Sequence, residues 1–242
     1  MRYFPQSREE WFVTRDGMVR KNLVGWDDDK PLPGVRVCLY SWYNLKYDPI
    51  AEIAEANWTT YCQRHGYALR MYPGLYRGSD GPIVDGDQDK FAMYYDLRGL
   101  FDIVCYLDID SLFVEMDWKI ETAACGPFAW SFDDNGPNSS LLIAGTDDVT
   151  ERHLRYAYEY AKANDHVRHG KIEPGGMSDQ DAMTLLMTRP PFNRTFRTCL
   201  PAADLGIAFK EPAPGESPGI RTFAGIPFDE KLAAMKRQVA HA

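Results

Sequence analysis

Phe101-Asp102-Ile103-Val104-Cys105-Tyr106-Leu107 is apolar on both faces of an extended chain and leads straight into Asp108-Ile109-Asp110. A strand of this kind is stable only when covered from both sides, which puts it in the middle of an α/β sheet. Ligands of such sheets gather outside the C-terminal ends of the strands, so Asp108 and Asp110 are expected at a binding edge. Two carboxylates there suit a hard divalent cation, Mg²⁺ or Mn²⁺, that completes its shell with water and substrate phosphates. The plainer alternative is that the two acids merely solvate a strand end.

Asp-x-Asp recurs at Asp85-Gly86-Asp87, Asp87-Gln88-Asp89 and Asp179-Gln180-Asp181, so position has to separate the copies. The first two lie in a polar, Gly-containing stretch that reads as a solvated loop. As a calcium loop it fails, because the sixth position holds Lys90 rather than Gly and the twelfth Asp96 rather than Glu. Only Asp108 and Asp110 follow a buried run.

With 242 residues, 45% hydrophobic and 13% aromatic, the chain can bury a full core. One α/β domain over residues 34–242, behind an amino-terminal arm or lid at 1–33, is the expected organisation. A formal charge of -8 argues against wholesale electrostatic capture of nucleic acid or an anionic membrane, while leaving room for a local basic patch. No apolar run reaches a membrane span, and Arg2, Arg8, Glu9, Glu10, Arg15 and Asp16 break any signal-peptide core. A soluble cytoplasmic protein is the expectation. The five cysteines form no zinc spacing, and Cys38, Cys62 and Cys105 fall in apolar segments where reduced, buried thiols are the default. The glycosylation-like triplets at Asn57, Asn138 and Asn193 then read as chance matches.

Val35 to Tyr40 reads as the first strand, and Ser41-Trp42-Tyr43 at its C-terminal end offers either a stacking surface for a base or ribose or ordinary packing. Asp48-Pro49 opens a helix in the N-cap and N1 manner, with Trp58, Tyr61 and Cys62 on its apolar face and Gly66 as the stop. Tyr67 to Tyr72 is the second strand, parallel to the first by the right-handed crossover rule. A helix over Lys90 to Phe101, with Met93, Leu97, Leu100 and Phe101 inward, feeds the Asp-x-Asp strand. Phe128 to Phe132 and Ser140 to Ala144 read as strands around the turn-like Asp133-Asp134-Asn135-Gly136-Pro137-Asn138. Asp148 with Glu151 signals a capped helix, Ser178 caps another that carries Asp179-Gln180-Asp181, and Asp229 to His241 closes the chain as a helix.

Trp58-x-x-Tyr61-Cys62-x-x-His65-Gly66-Tyr67, a helical Lys90, Tyr106 to Phe113, Asn138-Ser139-Ser140-Leu141-Leu142-Ile143 and Ser178-Asp179-Gln180-Asp181-Ala182 occur in an order that resembles one family. They look like the retaining GT-A glycosyltransferases of the galactosyl-, mannosyl- and xylosyltransferase group. The resemblance spans residues 35 to 225 and implies a single Rossmann-like α/β domain with a mixed, mainly parallel sheet. It further implies a UDP- or GDP-sugar donor whose diphosphate sits on Mn²⁺ or Mg²⁺ held by Asp108 and Asp110. Gln180 resembles the family's amide beside the anomeric carbon, with Asp179 and Asp181 orienting donor hydroxyls. Ser41, Trp42, Tyr43, Lys90, Asp134 and Asn138 become donor-binding candidates. The family's His-Phe-x-Gly element, which supplies a third metal ligand, is matched here by Thr222-Phe223-Ala224-Gly225. A hydroxyl is a poorer ligand than imidazole, leaving a looser metal, a nitrogen from His169 or His241, or a mismatch in that segment.

Two other readings stand beside this one. Asp108 and Asp110 also look like the first motif of haloacid-dehalogenase-type phosphatases, with Ala144-Gly145-Thr146-Asp147-Asp148 as the acidic metal motif, although a whole β-α-β unit precedes them here. A glycosyltransferase-like chain that binds nucleotide sugar without turnover is the other. For the acceptor, the basic residues from Arg152 to Lys171, among them Arg155, Arg168 and His169, form either a solvated face or a guide for an anionic acceptor such as modified DNA or a phosphorylated glycan.

Overall fold

Val37–Tyr43 (β1) is a largely apolar run with three aromatic and five buried residues, and Asp48–His65 (α1) returns the chain to its parallel neighbour Ala68–Pro73 (β2). The computed structural model describes residues 11–14, 17–20, 35–43, 45–73, 89–123, 128–133, 136–146, 148–163, 167–168, 171–172, 180, 182, 199–201, 207–208 and 218–240. A 3₁₀ turn at Leu45–Tyr47 runs directly into α1, so Asp48 is its first helical residue rather than a side-chain cap. The stop is as the sequence implies: Gly66 takes a φ of 72°, and its N–H donates to Cys62 O.

Asp89–Leu97 (α2) leads to Ile103–Leu107 (β3), buried at every residue and parallel to β1. Because α2 ends at Leu97, Leu100 lies beyond it and is exposed instead of packed. After β3 come Ser111–Phe113 (β4), Phe128–Asp133 (β5), Gly136–Gly145 (β6), Asp148–Ala163 (α3), Cys199–Pro201 (β7), Ile207–Ala208 (β8), Ile220–Thr222 (β9) and Phe228–Ala240 (α4). Six strands form one mixed sheet in the order β7-β5-β6-β3-β1-β2, antiparallel only where β6 meets β3 and β5. β6 starts at Gly136, so much of the expected turn is strand. Trp11–Thr14 and Gly17–Arg20 pair as an antiparallel hairpin within the segment expected to be an amino-terminal arm or lid.

Alternation along β1 and β3 sorts the core into two layers. Val37, Leu39, Cys105 and Leu107 pack with Ile50, Ala54, Trp58 and Tyr61 of α1 and Met235 of α4. Cys38, Tyr40, Val104 and Tyr106 face Phe91, Met93 and Tyr94 of α2 and Leu154, Ala157 and Tyr158 of α3. The sheet is therefore covered on both faces, which is why the Asp-x-Asp strand has no polar side.

A second, three-stranded sheet, β8-β9-β4, hangs on α1. Asn57 Nδ2 donates to Phe113 O at 3.0 Å, and Phe113 N donates to Asn57 Oδ1 at 2.8 Å. Trp58 Nε1 donates to Ser111 O at 3.0 Å, and the rings of Tyr61 and Phe113 stack with centroids 3.5 Å apart. The Asn57 amide is thus used up inside the protein, in keeping with the chance origin of its glycosylation-like triplet.

Cys38, Cys62 and Cys105 are buried free thiols. Burial pushes Cys38 from 9.0 up to about 12 against the opposing pull of Arg70, and burial aided by Cys38 pushes Cys62 to about 12. Unfolded thiols ionise near pH 9, so above that pH the folded chain holds more protons than the unfolded one and stability falls as pH rises toward 12. Urea midpoints are expected to decline through this alkaline range, less steeply in Cys38→Ala/Cys62→Ala. Equal slopes in the two proteins would contradict this assignment.

Candidate active site at the sheet edge

β1, β2 and β3 are mutually parallel, so their C-terminal ends lie at one edge. Asp108 leaves β3 there with its N–H donating to Ser140 O of β6 at 2.8 Å. Asp110 sits in the turn into β4, and its carbonyl accepts from Phe223 N at 2.8 Å. One backbone bond thus ties the first acid to the large sheet and another ties the second to the small sheet. Thr222, opposite Ser111 in the β9–β4 ladder, brings the Thr222-Phe223-Ala224-Gly225 element against Asp110.

Two lysines enter this edge from opposite sides. Lys90, only 3% exposed although it is the second residue of α2, has its Nζ 3.8 Å from Asp108 Oδ1, donates to Ser139 O at 3.2 Å and lies 4.4 Å from the Tyr106 ring centroid. The Tyr40 hydroxyl, donating to Lys90 O at 2.9 Å, fixes the backbone that carries it. Lys231, 7% exposed, forms a buried ion pair with Asp110 Oδ2 and faces the Tyr47 ring at 5.8 Å. Sequence reasoning missed Lys231. The signal was there, since it falls on the apolar stripe of α4 beside Phe228, Leu232 and Met235, where a lysine is out of pattern.

The edge also contains a bulge. β6 pairs Leu142 with Trp130 but Asn138 with Ser131, so Ser139, Ser140 and Leu141 have no partner on β5. Asn138 Oδ1 accepts from Ser140 N at 2.8 Å and Asn138 O accepts from the Ser131 hydroxyl at 3.1 Å, which holds the bulge in shape. The same bulge turns Ser139 O onto Lys90 and Ser140 O onto Asp108. Asn138 therefore shapes the edge through the backbone.

The other sequence candidates divide. Ser41 is buried inside β1, which runs on to Tyr43. Trp42 packs on the Lys90 side, with a buried Nε1 that has no hydrogen-bond partner. Tyr43 packs on the α1 side, where burial, then Asp48, Glu55 and Glu52, push its hydroxyl up. The two rings belong to opposite layers and do not form one platform. Gln180 is helical and half-buried. Asp134, Asp179, Asp181, His169 and His241 lie outside the described residues.

A divalent cation fits this donor set poorly. The described residues contain no group of three or more His, Cys, Asp or Glu side chains suited to a metal, and each Asp carboxylate has an ammonium beside it. Two unit charges 4 Å apart interact by about 4 kcal/mol at an effective dielectric of ~20, so the ammonium groups of Lys90 and Lys231 offset most of the attraction that Asp108 and Asp110 would exert on a dication, and the four side chains together carry no net charge. Thr222 Oγ1, buried without a partner, offers only a neutral oxygen. The phosphatase arrangement fits no better. Gly145 pairs with Ile103, so Thr146 follows at the far end of β3, roughly 16 Å from Asp108 at the strand rise.

No protein-family model and no curated protein matches the chain. Among solved structures, a glycosyltransferase involved in the glycosylation of the major capsid of PBCV-1 is similar with a TM-score of 0.61 at 10% identity, over 84% of this chain and 99% of that one. The bifunctional glycosyltransferase WbbM, in its apo form, is similar with a TM-score of 0.50 at 12% identity, over 88% of this chain and 51% of that one. At such identities the likeness is one of architecture, and the architecture is that of the GT-A glycosyltransferases.

Proposed function

We propose that the chain transfers a sugar from a nucleotide-diphosphate sugar to a hydroxyl acceptor, with retention at the anomeric carbon. The observation that carries the reading is the convergence of Lys90, Asp108, Asp110 and Lys231 at the C-terminal edge of a sheet with glycosyltransferase architecture. Loss of a nucleoside diphosphate develops negative charge on the departing phosphate, and preorganised cationic donors in a water-poor edge stabilise it. Lys90 is the group we assign to the phosphates. Gln180 is assigned to the anomeric carbon, where its amide dipole stabilises an oxocarbenium-like transition state. The acceptor is a sugar or other hydroxyl compound, an anionic one being attracted at long range by the exposed Arg152 and Arg155 of α3, a helix that begins at the opposite end of β3 from Asp108.

Incubating the purified protein with a panel of UDP- and GDP-sugars, with and without Mn²⁺, is expected to release nucleoside diphosphate. Inorganic phosphate as the product would favour a phosphatase instead, and tight binding without turnover would leave a binding protein. For Gln180→Ala we expect kcat to fall by about 10²-fold with nucleotide affinity unchanged, as for a group that acts in the transition state. A raised donor Kd at unchanged kcat would reassign Gln180 to binding.

A further inference from the structure

Resting on that reading, we infer that the Lys231 ammonium, fixed by Asp110 and supported by Lys90 beside Asp108, supplies at the diphosphate the positive charge that a divalent cation was expected to bring, so that donor binding and transfer proceed without metal.

Lys231 is the fourth residue of α4. A helix N-terminus is the positive end of the macrodipole and favours acids, which Asp229 and Glu230 satisfy and Lys231 does not. Burying an ammonium there adds a desolvation cost. Pairing with Asp110 offsets that cost, yet a buried ion pair is commonly no more stable than an apolar pair of the same size. Stability therefore gives no reason for a lysine at this position, whereas an anionic ligand does. An ammonium carries three N–H donors, and Asp110 Oδ2 directs one of them. The Phe223 N to Asp110 O bond and the pairing of Thr222 with Ser111 hold Asp110 beside the start of α4. Thr222, 2% exposed and one residue before the Phe223 N–H that bonds Asp110 O, carries a buried hydroxyl without a partner, and its O–H is a second donor for a phosphate oxygen that reaches it.

The step balances without a metal. The bond from the anomeric carbon to the β-phosphate oxygen breaks with its electron pair going to that oxygen, and a bond forms from the anomeric carbon to the acceptor oxygen. The acceptor's proton passes to the departing phosphate. Lys231, Lys90 and Thr222 donate hydrogen bonds to the growing charge and keep their own protons. Asp110 and Asp108 are positioning residues that hold the two ammonium groups.

Calorimetric titration of UDP and of GDP into the full chain, once in excess EDTA and once in Mn²⁺, tests this apart from turnover. The expected result is a Kd in EDTA within about threefold of that in Mn²⁺. Lys231→Met/Asp110→Asn, which removes the pair and leaves no lone buried charge, is expected to weaken metal-free binding by about 10- to 100-fold, the scale of a lost hydrogen bond to a charged group. Lys231→Arg, which keeps the charge, is expected to retain most of it. Binding that requires Mn²⁺, or a double variant that binds like wild type in EDTA, would overturn the inference and leave the nucleotide-sugar reading standing. Binding of neither nucleotide under either condition would bring down both.

Discussion

Asp110→Asn is expected to lose about 10²-fold or more in glycosyl transfer, the scale seen when one preorganised charge-stabilising group, here the Lys231 ammonium that Asp110 positions, is lost from its place, and to lose about 3–5 kcal/mol of stability as well. The stability loss follows from Lys231, whose ammonium is left buried with no counter-charge. Urea unfolding and nucleoside diphosphate release, measured on Asp110→Asn, Lys231→Met and the double variant, separate the two effects. Each single change should destabilise, and the double variant should recover most of the stability because it removes both charges together. Turnover should stay low in all three. A double variant that regains turnover along with stability would mean that the pair matters only to the fold.

Trp58→Ala carries the largest expected effect on stability alone. The indole is fully buried, so truncation costs about 3–5 kcal/mol in lost packing and cavity formation. It also removes the 3.0 Å bond from Nε1 to Ser111 O, one residue after Asp110. Trp58→Phe refills most of the volume but not that bond, and is expected to cost about 1–3 kcal/mol for the unpaired carbonyl. If the indole positions the Asp110 turn, kcat falls in Trp58→Phe even under conditions where the variant is fully folded. Unchanged kcat there would confine Trp58 to the core.

What was legible in the sequence was what local pattern encodes. The β1-α1-β2 unit announced itself through apolar runs, Pro49 and Gly66, and the Asp-x-Asp strand through its lack of any polar face. The β4–β9 pairing was not legible as structure, because strands of three residues are too short to show a period of two. The resemblance of Thr222-Phe223-Ala224-Gly225 drew attention to the segment without revealing what it pairs with. The Lys231 to Asp110 pair spans 121 positions of chain, and no local rule links such residues. The bulge in β6 escaped for a related reason. Gly136 and Pro137 look like a turn locally, yet they belong to a long strand whose irregularity serves Lys90 and Asp108 on neighbouring elements.

The most direct test of the central claim is a crystal structure of the chain with UDP or GDP. The account predicts the diphosphate at the edge formed by β1, β3 and the β6 bulge, with phosphate oxygens within about 3 Å of the Nζ atoms of Lys90 and Lys231. A diphosphate bound elsewhere on the protein, with both lysines still closed on Asp108 and Asp110 and remote from it, would contradict the account.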